Sequence, residues 1–370
     1  MPRARSPYVT AIRFRILLRA SIVLRKLALA VVSFAVTLAV LELGVRLAHL
    51  EVNDHVNEMR KYGLLLVRDP AGYFRHPPGA SAVLQRVTMR FNSLGMRGEE
   101  PRSPKPPGTF RILCLGDSVT LGPGVPEDAI YPSRLRALLG DDRTEVVAAG
   151  VGGWNTVEEE RFLAANIERL EPDLVLLMYV TNDNEPVEPW RRGEQPPDTR
   201  RVALYRALVL HSRLFEWAAF TYTRLQGVDW AGLRIVHRWN EERRAAGPPF
   251  SPTEPGWLES RAALGRLLVL TRAHGARLAI FLYNLDDWPP APAARERLEE
   301  FGRETGVPVF DTRPFFAGSS PWTLVNAPIV DPHPNADGHA LLAAGIARTL
   351  RAEGLLGSSP RALASLAALR

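Results

Sequence analysis

The stretch Arg111-Ile112-Leu113-Cys114-Leu115-Gly116-Asp117-Ser118-Val119-Thr120-Leu121-Gly122 decides the fold. Its first five residues are an apolar run without alternation, which reads as a short strand covered on both faces. Gly-Asp-Ser then places small and polar groups at the carboxyl end of that strand, where a turn leads into a helix. Working outward, the same rhythm recurs. Strands are expected at 145–149, 174–180, 277–283 and 307–311, and helices at 131–139, 157–170, 261–274, 295–305 and 338–351. Short strands alternating with longer helices imply βαβ crossovers. The expected fold is therefore α/β, a three-layer sandwich with a central parallel sheet.

In such sheets ligands sit beyond the carboxyl ends of the strands, so the residues that follow each strand are read first. After 145–149 comes Gly150-Val151-Gly152-Gly153-Trp154-Asn155-Thr156, and after 174–180 comes Thr181-Asn182-Asp183. Before the last helix stands Asp331-Pro332-His333-Pro334-Asn335. With parallel strands, these places and Gly116-Asp117-Ser118 converge on one rim.

Here the sequence resembles the SGNH or GDSL hydrolase superfamily over about 250 residues, roughly 91–350. Gly116-Asp117-Ser118, Gly153, Asn182-Asp183 and His333 match the four blocks in order. Asn92-Ser93-Leu94-Gly95-Met96-Arg97 resembles a feature of the membrane-anchored bacterial branch. The resemblance implies a flavodoxin-like sandwich, with Ser118 as nucleophile, His333 as base, and Ser118, Gly153 and Asn182 as the oxyanion hole.

Chemistry gives each residue its own reason. A serine hydroxyl is a weak nucleophile until a neighbouring base takes its proton. Of the eight histidines, only His333 precedes a helix at a strand-end rim; His49 and His55 lie by the apolar segment, His76 in a stalk, His211 and His237 in an insertion, and His274 and His339 on expected helix surfaces. Asp331 is the candidate to orient the imidazole. It stands two residues before His333, where the family has its acid three before, so either its side chain or a backbone carbonyl orients the ring. Gly153 and Asn182 supply N–H donors for a developing oxyanion, with Gly152 as an alternative donor. Asp117 reads as structural, because a carboxylate beside the nucleophile opposes build-up of charge. Asn335 reads as an Asx turn into the last helix, Cys114 as an inert core thiol, and Trp154 and Trp190 either as packing or as stacking surfaces for a sugar.

The flanks add an address. Seven bases and no acid occupy the first 26 residues, and removing them from 46 Lys and Arg leaves 39 against 40 Asp and Glu. The positive net charge of +6 is thus local, and nucleic-acid binding loses its support. The apolar run that follows suits a transmembrane anchor at 27–47, provided Glu42 and Arg46 lie near its outer end and pair there. A cleaved signal peptide and a buried core helix are the alternatives. Bases ahead of the span put 1–26 in the cytoplasm as a basic tail and the working domain outside the inner membrane, single-pass. An irregular stalk and connector at 48–107, with one short strand at 82–90, precedes a hydrolase domain at 108–355 that carries an insertion or lid at 185–255, helical near 202–225. A tail at 356–370 ends the chain.

The expected function is serine-dependent ester hydrolysis, or O-acyl transfer if a sugar accepts, on an acylated envelope or extracellular substrate, a carbohydrate by location and family habit. No metal or cofactor is called for. The rival from another class is a catalytically silent, membrane-tethered glycan-binding module on the same fold, favoured by the short acid spacing.

Overall fold

A computed structural model describes residues 7–48, 55–140, 143–185, 200–225, 248–327 and 331–357. The chain opens with α1 (Pro7–Leu47), then α2 (His55–Leu65), a two-residue strand pair β1 (Val67–Arg68) and β2 (Phe74–Arg75), and a hairpin β3 (Ser81–Leu84) and β4 (Val87–Arg90). Next come β5 (Phe110–Gly116), α3 (Ser118–Leu121), α4 (Tyr131–Leu139), β6 (Thr144–Gly150), α5 (Thr156–Leu170) and β7 (Leu174–Tyr179). Helices α6 (Arg200–His211), α7 (Arg213–Leu225) and α8 (Pro255–Ala273) lead to β8 (Arg277–Leu282), α9 (Ala291–Thr305) and β9 (Val309–Asp311). The strand pair β10 (Val325–Ala327) and β11 (Asp331–Pro334) and the helix α10 (Ala336–Ala352) complete the described elements.

Five strands form one parallel sheet in the order β6-β5-β7-β8-β9. Every residue of β5 and β7 is buried, as a strand covered on both faces requires. Ile112, Cys114, Leu174, Leu176 and Met178 join a core with Leu135 of α4 and Leu342, Ile346 and Leu350 of α10. Side chains alternate along a strand, so Leu113, Leu115, Val175 and Leu177 point the other way; they are fully buried on the face of α5 and α8, which pack on each other. Three layers result. Cys114 is fully buried, and burial pushes its thiol up to about 12, so it stays a thiol.

Segment 48–107 departs from the irregular stalk expected of it. Residues 55–107 fold into the same compact unit as the sheet, and Leu66, Tyr73, Phe74 and His76 are buried there. The single strand expected at 82–90 is a hairpin whose turn residues, Gln85 and Arg86, have φ of 48° and 66°. Two-residue hairpins of this kind usually announce themselves with Asn-Gly or Asp-Gly. Gln-Arg carries no such signal, which is why the sequence reads straight through it. Helix α8 starts six residues earlier than expected, with Pro255 in its first turn and the Glu254 carboxylate accepting from Trp257 N.

A second compact unit comprises the described residues of 1–52 and 207–227. Within it, α1 is one continuous helix through the basic segment, and Ser21–Leu47 has a mean hydropathy of 2.3 with none of its most apolar stretch buried. That length and composition suffice to cross a membrane. Glu42 pairs with Arg46 at 2.7 Å, as expected at i and i+4. Its carboxylate also accepts from Ser212 Oγ at 2.9 Å, Arg213 N at 3.0 Å and Leu214 N at 2.9 Å, which caps α7. The helix expected near 202–225 is thereby two helices broken at Ser212. The remainder of the 185–255 insertion, at 186–199 and 226–247, lies outside the described residues, as do Trp190, His237 and the tail beyond 357.

Candidate active site

The strand order reverses at β5, so a crevice opens at the carboxyl ends of β5 and β7, with the end of β6 beside it. Beyond those three carboxyl ends stand Ser118, the pair Gly152-Gly153, and Asn182. Asp117 terminates the first strand by capping α3, its Oδ1 accepting from Val119 N at 2.9 Å, and Ser118 is the first residue of that short helix. The strand β11 delivers His333 from the other end of the chain.

His333 Nε2 lies 2.9 Å from Ser118 Oγ, and His333 Nδ1 lies 2.6 Å from Asp331 Oδ1. A carboxylate only accepts, so the Nδ1 facing it carries the hydrogen and Nε2 is left as the acceptor for the serine hydroxyl. Asp331 and His333 meet because they are i and i+2 of an extended strand, where alternate side chains share a face. The second oxygen, Asp331 Oδ2, accepts from Gln85 Nε2 and Asn326 Nδ2, each at 3.3 Å. Gln85 comes from the hairpin turn ahead of the sheet, so the segment read as a stalk reaches the acid.

Asn182 Nδ2 donates to Asp117 Oδ2 at 3.2 Å. An amide carries two such hydrogens, and this bond uses one. Gly153 has φ of +76°, a conformation that glycine adopts without strain. Gly152 is occupied otherwise. Its N–H donates to Tyr62 Oη at 2.7 Å, Tyr62 Oη lies 2.9 Å from His76 Nε2, and His76 Nδ1 lies 2.8 Å from Gly95 O. Because a carbonyl accepts only, Nδ1 holds the ring hydrogen and the Tyr62 hydroxyl donates to Nε2. This chain of hydrogen bonds pins the glycine turn and engages the alternative donor. A Cβ at Gly152 would meet Tyr62 Cε1 at 2.8 Å, so only glycine lets the ring approach.

Several expectations need correction. His76 is fully buried, and burial lowers it to about 3. His339, expected on a helix surface, is also fully buried, accepts from Tyr131 N at 3.1 Å, and is lowered by burial to about 3. Both are neutral structural histidines. Trp154 is closed to a sugar ring: it is 1% exposed, lies edge-on to Tyr73, and donates from Nε1 to Phe74 O at 2.6 Å. Asn335 caps α10, accepting from Asp337 N and Gly338 N at 3.0 Å each.

Carboxyl groups are concentrated beneath the rim. Burial raises Asp117 above the usual carboxylate range, opposed by hydrogen bonds from Val119 N and Asn182. Glu159 and Asp183 are buried too; burial pushes both well up, and the charge of Glu159 adds to the rise at Asp183. Neither oxygen of Glu159 has a hydrogen-bond partner among the described residues. The motif stretch around Asn92 serves this rim: Arg97, 3% exposed, donates to Leu121 O and Gly122 O at 2.7 Å each and to Val125 O at 2.5 Å, fixing the chain just past the serine.

Two cavities adjoin the serine. One of about 520 Å³ runs past Tyr283, Asn284, Asp286, Trp288 and Trp322; the other, of about 200 Å³, lies against Met59, Tyr62, Leu84, Met89 and Gly153. Ser118, Asn182 and His333 line both. Tyr62, Gln85 and the tryptophans of the larger cavity were not singled out from the sequence, since nothing local ties Tyr62 to Gly152, 90 positions on, or Gln85 to Asp331, 246 positions on.

Residues 114–341 match the sequence model of the GDSL-like Lipase/Acylhydrolase family. A search of curated proteins gave no match. Among solved structures, the chain is similar to TesA at 15% identity and a TM-score of 0.39, covering 65% of this chain and 97% of the other. It is also similar to the psychrotrophic esterase EstA from Pseudoalteromonas sp. at 16% identity and a TM-score of 0.38, covering 65% and 96%. Similarity to Axe2, an acetylxylan esterase from Geobacillus stearothermophilus, stands at 17% identity and a TM-score of 0.36, covering 65% and 93%.

Proposed function

The chain belongs to the GDSL-like lipase/acylhydrolase family, and on that premise we propose that it is a serine esterase in which Ser118 attacks the carbonyl carbon of an acylated substrate. His333 Nε2 takes the serine proton as the new C–O bond forms and returns it to the departing alcohol. Asp331 holds the ring in the tautomer this requires and stabilises the imidazolium. Ser118 N, Gly153 N and Asn182 Nδ2 face the charge that develops on the carbonyl oxygen. Water then releases the acyl group by the same steps in reverse, or a sugar hydroxyl takes it in transfer.

The observation that carries this reading is the relay from Ser118 Oγ through His333 to Asp331, at 2.9 and 2.6 Å. A silent binding module drew its support from the short acid spacing, and contact across that spacing takes the support away. We further place α1 across the inner membrane with the sheet domain on the outer side, because the bases precede the apolar run. Acylated envelope or extracellular carbohydrate follows from that address, and the exposed Trp288 and Trp322 offer ring faces for a sugar.

The test is hydrolysis of a chromogenic short-chain ester by the full chain. Ser118→Ala is expected to lower kcat by about 10⁴-fold or more. Turnover that survives in this variant would remove Ser118 from the mechanism.

A further inference from the structure

An ester poised over Ser118 has to send its acyl arm and its alkoxy arm in different directions, and two unequal spaces diverge from that serine. Three of the proposed reacting or polarising groups, Ser118, Asn182 and His333, are the residues common to both. The 200 Å³ cavity is lined mainly by Met59, Tyr62, Leu84, Met89, Leu121 and Pro123, side chains that offer hydrocarbon or a ring face, with the polar Glu58 and Gln85 beside them. Leu84, Met89 and Leu121 are at most 2% exposed, so its floor is fixed by the core. The 520 Å³ cavity has polar groups on Asn284 and Asp286, and its Trp288 and Trp322 are 67% and 54% exposed, which sets its mouth at the surface.

We infer that the smaller cavity is the acyl subsite, that the larger one receives the alcohol, and that the enzyme is thereby restricted to short acyl groups. This rests on the serine-esterase reading. Once Ser118 Oγ has bonded to the carbonyl carbon and the alcohol has left with the proton from His333, the acyl group stays while a second hydroxyl enters. The arm that stays tolerates the narrower, more apolar space; the arm that is exchanged needs the more open, polar one. Ligand pockets usually measure about 300–1,000 Å³, and a benzene ring fills an apolar cavity of about 150 Å³. By that scale 200 Å³ takes an acyl group of up to about six carbons. The subsite is built by α2 and the hairpin β3–β4, so the segment ahead of the sheet sets the acyl specificity.

The experiment measures kcat/KM of the full chain in nanodiscs for chromogenic esters of two to twelve acyl carbons, alongside Met59→Trp and Met59→Ala. Met59 is 41% exposed at the rim, so both variants keep the core intact. Wild type is expected to lose at least tenfold between four and ten carbons. Relative to wild type, Met59→Trp is expected to lose at least tenfold on butyrate while retaining acetate within threefold, and Met59→Ala to gain on chains of six to eight carbons. Taking each variant as a ratio to wild type at each length cancels partitioning of the longer esters into lipid. A small fluorophosphonate on Ser118 separates the two readings. If Ser118 reacts but the profile is flat, favours long chains or ignores Met59, the subsite assignment is wrong and the esterase stands. If neither ester nor phosphonate reacts, both fall.

Discussion

At the residue scale the decisive relation is between Asp331 and His333. The family pattern places the acid three positions before the base; here a separation of two suffices, because β11 is extended and period-two geometry puts both side chains on one face. The sequence singled out Ser118 and Asn182 as residues that follow strands and His333 as the histidine ahead of the last helix, and left open whether Asp331 reached the ring. It could not show Gln85 or Asn326 behind the acid, since these contacts depend on tertiary packing across as many as 246 positions. Asn182→Ala removes one proposed oxyanion donor, for which a loss of about 100- to 1,000-fold in kcat is expected. A steady-state rate equal to wild type would take Asn182 out of the oxyanion hole. Glu159 provides a test of the electrostatics. Its folded pKa is raised above the unfolded value, so its contribution to stability is present below the unfolded pKa and is lost as pH rises through the folded one. Glu159→Gln removes that loss. The variant is therefore expected to gain in Tm over wild type at pH 8 and to gain less at pH 5, one kcal/mol corresponding to about 2–4 °C in a domain of this size. Equal Tm differences at the two pH values, read by calorimetry, would contradict a raised pKa.

At the scale of elements, helices and strands of the α/β core were legible because their apolar periodicity is local, and α4 falls at 131–139 as the pattern asks. What escaped were elements whose reasons are non-local. The hairpin β3–β4 turns through two non-glycine residues at positive φ, and α2 carries Tyr62, whose hydroxyl is held by a glycine 90 residues later. Without knowing that partner, 48–107 reads as a stalk. Glu42 is the converse case, an acid in an apolar helix whose role appears only when α7 is brought to it. A helix N-terminus leaves backbone N–H groups without intrahelical partners, and the Glu42 carboxylate accepts from two of them. Loss of such a cap costs about 0.5–2 kcal/mol. In Glu42→Ala the amides of Arg213 and Leu214 are expected to exchange with deuterium roughly fivefold faster or more. Unchanged protection would mean that α7 is held by packing alone.

At the scale of the whole molecule, the α/β unit brings a strand-order reversal, a relay from the far end of the chain and a segment ahead of the sheet to one serine. The larger cavity opens among exposed tryptophans, while the smaller is floored by core residues, so Ser118 borders two chemically different spaces. The separate unit carries an apolar helix long enough to cross a membrane. An activated serine is the claim on which function depends. It is tested most directly by the intact mass of the full chain after treatment with a fluorophosphonate, which needs only that serine and an oxyanion hole and no knowledge of the substrate. One adduct is predicted, absent in Ser118→Ala and formed much more slowly in His333→Ala. Well-folded protein that takes no adduct, or takes it equally in Ser118→Ala, would contradict the account.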